Sequence, residues 1–109
     1  MNNSKKVKLV KLEEKERYQR LLREDLETYR IKSGHVILKP DDSIGSHSTG
    51  EREEMIVVLK GNGELSIDKG AVLKIDCSTI LYIPPYTYHD VKNTGSKALE
   101  YIFITAKTK

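Results

Sequence analysis

Cysteine is almost absent from this sequence, because Cys77 is the single thiol among 109 residues. One cysteine excludes an internal disulfide, and it excludes a zinc site built from paired cysteines. We interpret Cys77 as a small, half-buried residue rather than a reactive group.

Long apolar runs are also absent. No stretch approaches the roughly 20 residues that a membrane-spanning helix needs, and the polar N-terminal residues lack the apolar core of a signal peptide. We therefore expect a cytoplasmic protein with no membrane partner.

A large excess of positive or negative charge is absent as well. Nineteen basic residues face sixteen acidic ones, which gives a formal net charge of +3. The excess lies at the two ends of the chain, and nothing pairs clustered cations with a groove-reading helix or stacking aromatics. We expect no nucleic-acid partner. Phosphate-binding glycine loops and nucleophile elbows are absent too.

The sequence does contain a pattern typical of short β-strands. From residue 28 onward, short apolar runs alternate with Gly, Pro, Asn and Asp, a pattern typical of a sandwich or barrel. A chain of this length holds one domain with a modest core. The turn at residues 61–63 is predicted to reverse the chain in a tight hairpin, and residues 68–70 form a second one. Strands are predicted at residues 30–39, 55–60, 64–67, 71–75, 79–83, 88–91 and 99–106.

The N-terminal part of the chain is harder to interpret. Residues 7–10 are compatible with a short strand. Within residues 12–29, apolar side chains recur at three- and four-residue steps, which favours an amphipathic helix; an irregular turn followed by a strand is the alternative. In either case the apolar side chains serve the core or a dimer contact: Tyr18, Leu21, Leu22, Leu26 and Tyr29.

Two polar patches interrupt the apolar strands, at residues 45–54 and 83–93. They contain His47, Glu54 and His89, which closure of a barrel could bring together. Two imidazoles and one carboxylate suit a divalent transition metal such as Mn, Fe, Ni, Zn or Cu. The sequence therefore offers a candidate metal site, and isolated histidines that only form hydrogen bonds are the alternative.

The same two patches resemble the paired motifs of the cupin superfamily. Residues 47–61 resemble G-(x)5-H-x-H-(x)3,4-E-(x)6-G, and residues 78–93 resemble G-(x)5-P-x-G-(x)2-H-(x)3-N. The matching positions are His47, Glu54 and Gly61 in the first motif, and Pro84, His89 and Asn93 in the second. The departures are Asp41, Ser78 and Tyr86 at glycine positions, and Thr49 at the second histidine.

The resemblance implies an all-β fold, the cupin double-stranded β-helix or RmlC-like jelly-roll barrel, with a short N-terminal helical or irregular segment. Residues 30–109 would form the barrel, and residues 1–29 an extension packing on it or on a dimer partner. Cupin metal sites usually take three histidines and a glutamate, of which His47, Glu54 and His89 remain. Threonine is a poor ligand compared with imidazole, so Thr49 leaves metal binding an open question.

Three functions stay open at this stage. The chain could be a metal-dependent dioxygenase, isomerase or lyase acting on a small molecule. It could be a metal-free module that binds a small-molecule ligand without catalysis, as some cupins do. The third is similar to metal-free sugar epimerases of the superfamily, with His47 or His89 as base and a tyrosine as acid. Small cupins usually pair, so we expect a homodimer.

Other residues are weaker candidates. We interpret His35 as a packing or surface histidine. Glu53 could replace Glu54 if the strand register shifts by one residue. Four tyrosines could line the barrel mouth or serve as ordinary packing: Tyr82, Tyr86, Tyr88 and Tyr101.

Overall fold

The structure is a computed structural model that describes residues 4–14, 17–68 and 70–109. These residues form eight β-strands and contain no helix. In particular, they include no helix long and apolar enough to cross a membrane. The strands are β1 (Tyr18–Leu22), β2 (Ile31–Leu38), β3 (Arg52–Lys60), β4 (Asn62–Ile67), β5 (Ala71–Asp76), β6 (Ile80–Ile83), β7 (His89–Lys92) and β8 (Leu99–Lys107).

The strands form two antiparallel sheets. Five strands pair in the order β1-β2-β8-β3-β6, and three pair in the order β5-β4-β7. This two-sheet all-β architecture confirms the fold class predicted from the sequence.

The core lies between the sheets because alternate side chains of each strand point inward. In β3, Ile56 and Val58 are buried whereas Met55 is 42% exposed. Burying each large aliphatic side chain stabilises the fold by about 1.5–3 kcal/mol. The core residues are Val36, Leu38, Ile56, Val58, Leu65, Ile75, Ile83, Val91, Leu99 and Tyr101.

The N-terminal helix predicted as one alternative is wrong. Residues Tyr18–Leu22 form strand β1, which pairs with β2, and residues 7–10 form no strand. The Tyr18 ring stacks on Phe103 with centroids 6.2 Å apart. Gly34 of β2 is the register partner of Phe103, and a Cβ added there would lie 2.6 Å from atoms of both rings. Pairing and packing with distant residues therefore override the local helical periodicity.

The predicted hairpin at residues 61–63 is also wrong. β3 and β4 lie in different sheets, so the chain crosses from one sheet to the other at Gly61, whose φ is 84°. The hairpin at residues 68–70 is confirmed by the antiparallel pairing of β4 and β5, although Lys69 lies outside the described residues. Cys77, expected to be half-buried, is exposed in the turn after β5.

Candidate metal centre

A short bridge between the two polar patches brings the two histidines together. The His47 N–H donates to the His89 carbonyl at 3.0 Å, and the His89 N–H donates to the His47 carbonyl at 2.9 Å. Directly paired residues present their side chains on the same side of the chains. The two imidazole rings accordingly lie with centroids 4.6 Å apart.

Glu54 reaches the same point from the five-stranded sheet. It lies on β3 between its register partners Thr105 of β8 and Ile83 of β6, on the inward face with Ile56. Its carboxylate is 5% exposed, and its Oε1 lies 2.9 Å from Nε2 of His89. The structure therefore brings together all three side chains singled out from the sequence.

Hydrogen bonds to the backbone determine which ring nitrogen of each histidine carries the proton. His47 Nδ1 lies 2.9 Å from the Gly45 carbonyl oxygen, and His89 Nδ1 lies 2.9 Å from the Thr87 carbonyl oxygen. Because a carbonyl oxygen only accepts, each Nδ1 is the donor. In the neutral rings both Nε2 atoms then present a lone pair, as in histidines that bind metals.

The ligand atoms of the centre face one another. Glu54 Oε1 and His89 Nε2 are buried and lie 2.9 Å apart, so they form an ion pair when His89 is protonated, and neither atom has a hydrogen bond with any other described residue. One ligand atom from each of His47, Glu54 and His89 lies within 4.8 Å of the others. Ligands of one ion at about 2.0–2.2 Å can be separated by up to about 4.4 Å. The separations are close to that limit, so the donor set fits a metal ion.

Two groups at this centre have shifted pKa values. Burial lowers the pKa of His89, but the Glu54 carboxylate, the Thr87 carbonyl and Asp90 together outweigh that effect and raise it above its ordinary 6.5. Burial, with the Glu54 and Asp90 charges, raises the pKa of the Tyr101 hydroxyl well above its ordinary value. Tyr101 therefore stays protonated and can donate a hydrogen bond at any physiological pH.

The three side chains lie in an open cavity of about 860 Å³ between the sheets. Its apolar wall includes Ile44, Val91, Tyr101 and Phe103. A cavity of this size with a few convergent polar groups is typical of a site for a small molecule.

Comparison with known proteins identifies the family. The sequence model of the cupin domain matches residues 27–105. The chain belongs to the cupin family. No functionally curated protein matches this cupin.

Solved structures support the fold of this cupin. An RmlC-like cupin with a double-stranded β-helix fold from Methanocaldococcus jannaschii aligns with a TM-score of 0.79 at 16% identity, over 93% of this chain and 91% of that one. A Cupin 2 conserved barrel domain protein from Salinispora arenicola gives 0.75 at 21% identity, over 97% and 92%. A predicted oxalate decarboxylase from Thermotoga maritima gives 0.76 at 21% identity, over 83% and 78%.

Two of the replaced motif glycines keep a backbone conformation that favours glycine. Asp41 has a φ of 72° and Tyr86 a φ of 60°. Aspartate visits this left-handed region routinely, whereas for tyrosine it costs about 1–2 kcal/mol. The Tyr86 N–H donates to the Gly50 carbonyl at 2.8 Å, which ties the second motif to the loop that carries His47.

The other motif residues have structural contacts. The Thr49 hydroxyl donates to the Arg52 carbonyl at 3.0 Å, so it is engaged with the backbone although the residue lines the cavity. Asn93 is fully buried, and its amide donates to the carbonyls of Leu38 and Lys97 at 2.9 and 2.8 Å.

The weaker candidates lie away from the centre. Nε2 of the buried His35 contacts Glu100 Oε2 at 2.7 Å, so His35 is a packing histidine with a partner. Glu53 points away from the cavity and accepts from the Tyr82 hydroxyl at 2.9 Å. Of the four tyrosines, Tyr101 lines the cavity; the exposed ones are Tyr82, Tyr86 and Tyr88.

Sequence reasoning did not single out the charged residues of the cavity wall. They are Arg20, Arg23, Glu24, Lys32 and Arg52. A usable signal existed for Arg52, which precedes Glu54 by two residues and so shares its face of β3. Arg20 lies on β1, Arg23 and Glu24 lie in the segment after it, and Lys32 lies at the start of β2. For β1 and the segment after it, the sequence suggested a helix or an irregular turn.

Proposed function

We propose that this cupin binds one divalent transition metal through His47, Glu54 and His89, and that it acts on or senses a small molecule in the adjoining cavity. The observation that carries the proposal is the convergence of one ligand atom from each of His47, Glu54 and His89 within 4.8 Å of the others. Glu54 Oε1 and His89 Nε2 are buried there, 2.9 Å apart, with no other hydrogen-bond partner among the described residues. A cation between the ligands would satisfy both atoms at once.

The donor set indicates the chemistry of the ion. Two imidazoles and one carboxylate suit Mn, Fe, Ni, Zn or Cu, and three protein ligands leave coordination positions open. Such an ion, when bound, polarises a substrate oxygen or accepts dioxygen. Around it, the protonated Tyr101 can donate a hydrogen bond to a ligand in the cavity. Dioxygenase, isomerase and lyase chemistry are all compatible with this arrangement.

Elemental analysis of protein purified without chelators tests the proposal. We expect about one transition-metal ion per chain, and a rise in Tm when metal-free protein is titrated with Mn²⁺ or Zn²⁺, because ligands that bind only the folded state stabilise it. Absence of stoichiometric metal in the wild type, or unchanged metal content in His89→Ala, would contradict the proposal.

The stability of the protein should depend on pH in opposite directions with and without metal. The pKa of His89 is raised in the folded metal-free protein, so its attraction to Glu54 is fully present below about pH 6.5 and is lost as the pH rises through the raised pKa. Metal binding needs the neutral imidazole, so the gain in Tm on adding metal should grow over the same interval. Melting curves from pH 6 to 9 measure both trends; parallel curves would contradict them.

A metal-free binding module is the second candidate function. It is favoured by Thr49, which replaces a family ligand and whose hydroxyl is engaged with the Arg52 carbonyl. A ligand that raises Tm equally with and without metal, and that is not turned over, would support this alternative. For the epimerase-like mechanism, the carboxylate beside the histidine is Glu54, 2.9 Å from His89 Nε2, whereas Asp90 accepts from the Gly45 N–H at 2.9 Å.

The homodimer and the cytoplasmic location stay predictions. Exposed apolar side chains on the outer face of β3 and β6 favour the dimer, since such patches commonly mark interfaces. They include Met55, Ile80 and Tyr82, which are 42%, 67% and 61% exposed.

A further inference from the structure

Cationic side chains outnumber carboxylates on the cavity wall. Among the residues that the structure describes, two carboxylates line the cavity, those of Glu24 and Glu54. The cationic residues are Arg20, Arg23, Lys32 and Arg52. With neutral histidines the wall is therefore positive before any metal ion is added.

The cations differ in whether the protein itself balances their charge. Arg52 forms an ion pair with Glu24 and also donates to Thr105 Oγ1 at 3.2 Å. Arg23 lies 3.7 Å from a carboxylate four residues later in the chain. Arg20 and Lys32, in contrast, have neither an ion pair nor a side-chain hydrogen bond with any residue that the structure describes.

Strand register places Lys32 on the same side of the sheet as the metal ligands. Lys32 of β2 faces Thr105 of β8, and Thr105 faces Glu54 of β3. Neighbouring strands lie about 4.8 Å apart, so the Lys32 and Glu54 backbones are separated by roughly 10 Å. Arg20 lines the same cavity from β1, one strand beyond Lys32.

We infer that the ligand of this cavity is a small carboxylate, whose anionic group pairs with Arg20 and Lys32 while its other oxygen atoms face the metal ligands. The inference rests on the proposed function, because both sets of side chains line one cavity. Arginine matches the planar carboxylate through two parallel hydrogen bonds. The short span between the two sets limits the ligand to a few carbon atoms. A phosphate is less favoured, because no glycine-rich loop offers it backbone N–H groups.

Calorimetric titration with malonate and its neutral analogue malonamide tests the inference, on both metal-free and metal-loaded protein. We expect malonate to bind at least about tenfold tighter than malonamide, since only the carboxylate forms charge-assisted hydrogen bonds with Arg20 and Lys32. Arg20→Gln and Lys32→Gln should each weaken malonate binding about tenfold and leave malonamide binding unchanged. Lys74→Gln is the matched control, because Lys74 is exposed on β5 in the other sheet.

The outcomes separate the anion site from the metal site. Malonate binding to metal-free protein that is weakened in Arg20→Gln and Lys32→Gln supports the inference even if no metal ever binds. Equal affinity for malonate and malonamide, no malonate binding in either form, or unchanged binding in both variants overturns it. Tighter binding of inorganic phosphate than of malonate overturns the assignment to a carboxylate.

Discussion

Glu54→Gln is expected to abolish stoichiometric metal binding, whereas Glu53→Gln should leave it intact. The two glutamates are neighbours on β3, so they point to opposite faces of the sheet. Glu54 is 5% exposed beside His89, while Glu53 accepts from the Tyr82 hydroxyl on the outer side. Glutamine keeps the shape of the side chain but removes the charge that the ion needs. Changes to groups that only support the ligands cost 10–100-fold in affinity, so loss of a ligand should cost at least about 100-fold.

Metal content by elemental analysis and affinity by calorimetry measure this effect. The Tm of metal-free protein supplies the folding control. Because Glu54 raises the pKa of His89, metal-free Glu54→Gln should melt below the wild type where His89 is protonated, and the difference should shrink as the pH rises and His89 loses its proton. Equal metal content in the two variants would rule out Glu54 as a ligand.

The strand pattern and the paired motifs were enough to predict the fold and the grouping of His47, Glu54 and His89. Both signals are local: alternation identifies the inward face of β3, and spacing identifies His47 and His89. The cavity wall was not predictable in this way. Arg20 and Lys32 belong to the site only because β1 pairs with β2, and β2 pairs with β8. These pairings join residues far apart in sequence, and local periodicity around Tyr18 favoured a helix instead.

Glycine substitutions illustrate a second limit of the sequence. Asp41 and Tyr86 replace motif glycines, yet both retain a positive φ. The fold therefore keeps the backbone path where the residue has changed, and a departure from the motif does not by itself mean a departure in geometry. The replacement of the second motif histidine by Thr49 differs from these glycine replacements. At position 49 the imidazole is lost, and no backbone conformation restores a nitrogen donor.

Gly61→Ala is expected to destabilise the protein by roughly 3 kcal/mol, because two separate costs add at this position. An L-residue with positive φ costs about 1–2 kcal/mol, and φ here is 84°. An added Cβ would also lie 2.3 Å from the Ala98 carbonyl oxygen and 3.0 Å from the Leu99 Cα. These are backbone atoms at the start of β8, so the clash costs about 1–3 kcal/mol more. For a domain of about 100 residues, Tm should fall by at least about 10 °C.

Gly50→Ala separates the two costs. Gly50 has a similar φ of 65°, but no heavy atom of the described residues lies within 4 Å of its added Cβ. Only the conformational cost of about 1–2 kcal/mol applies there, so its Tm should fall by roughly half as much. Equal losses in the two variants would mean that contact with residue 98 contributes nothing. A larger fall in Tm for Gly61→Ala would show that the chain can cross between the sheets at residue 61 only without a side chain there. This crossing places the strand of Glu54 and the strand of His89 in facing sheets.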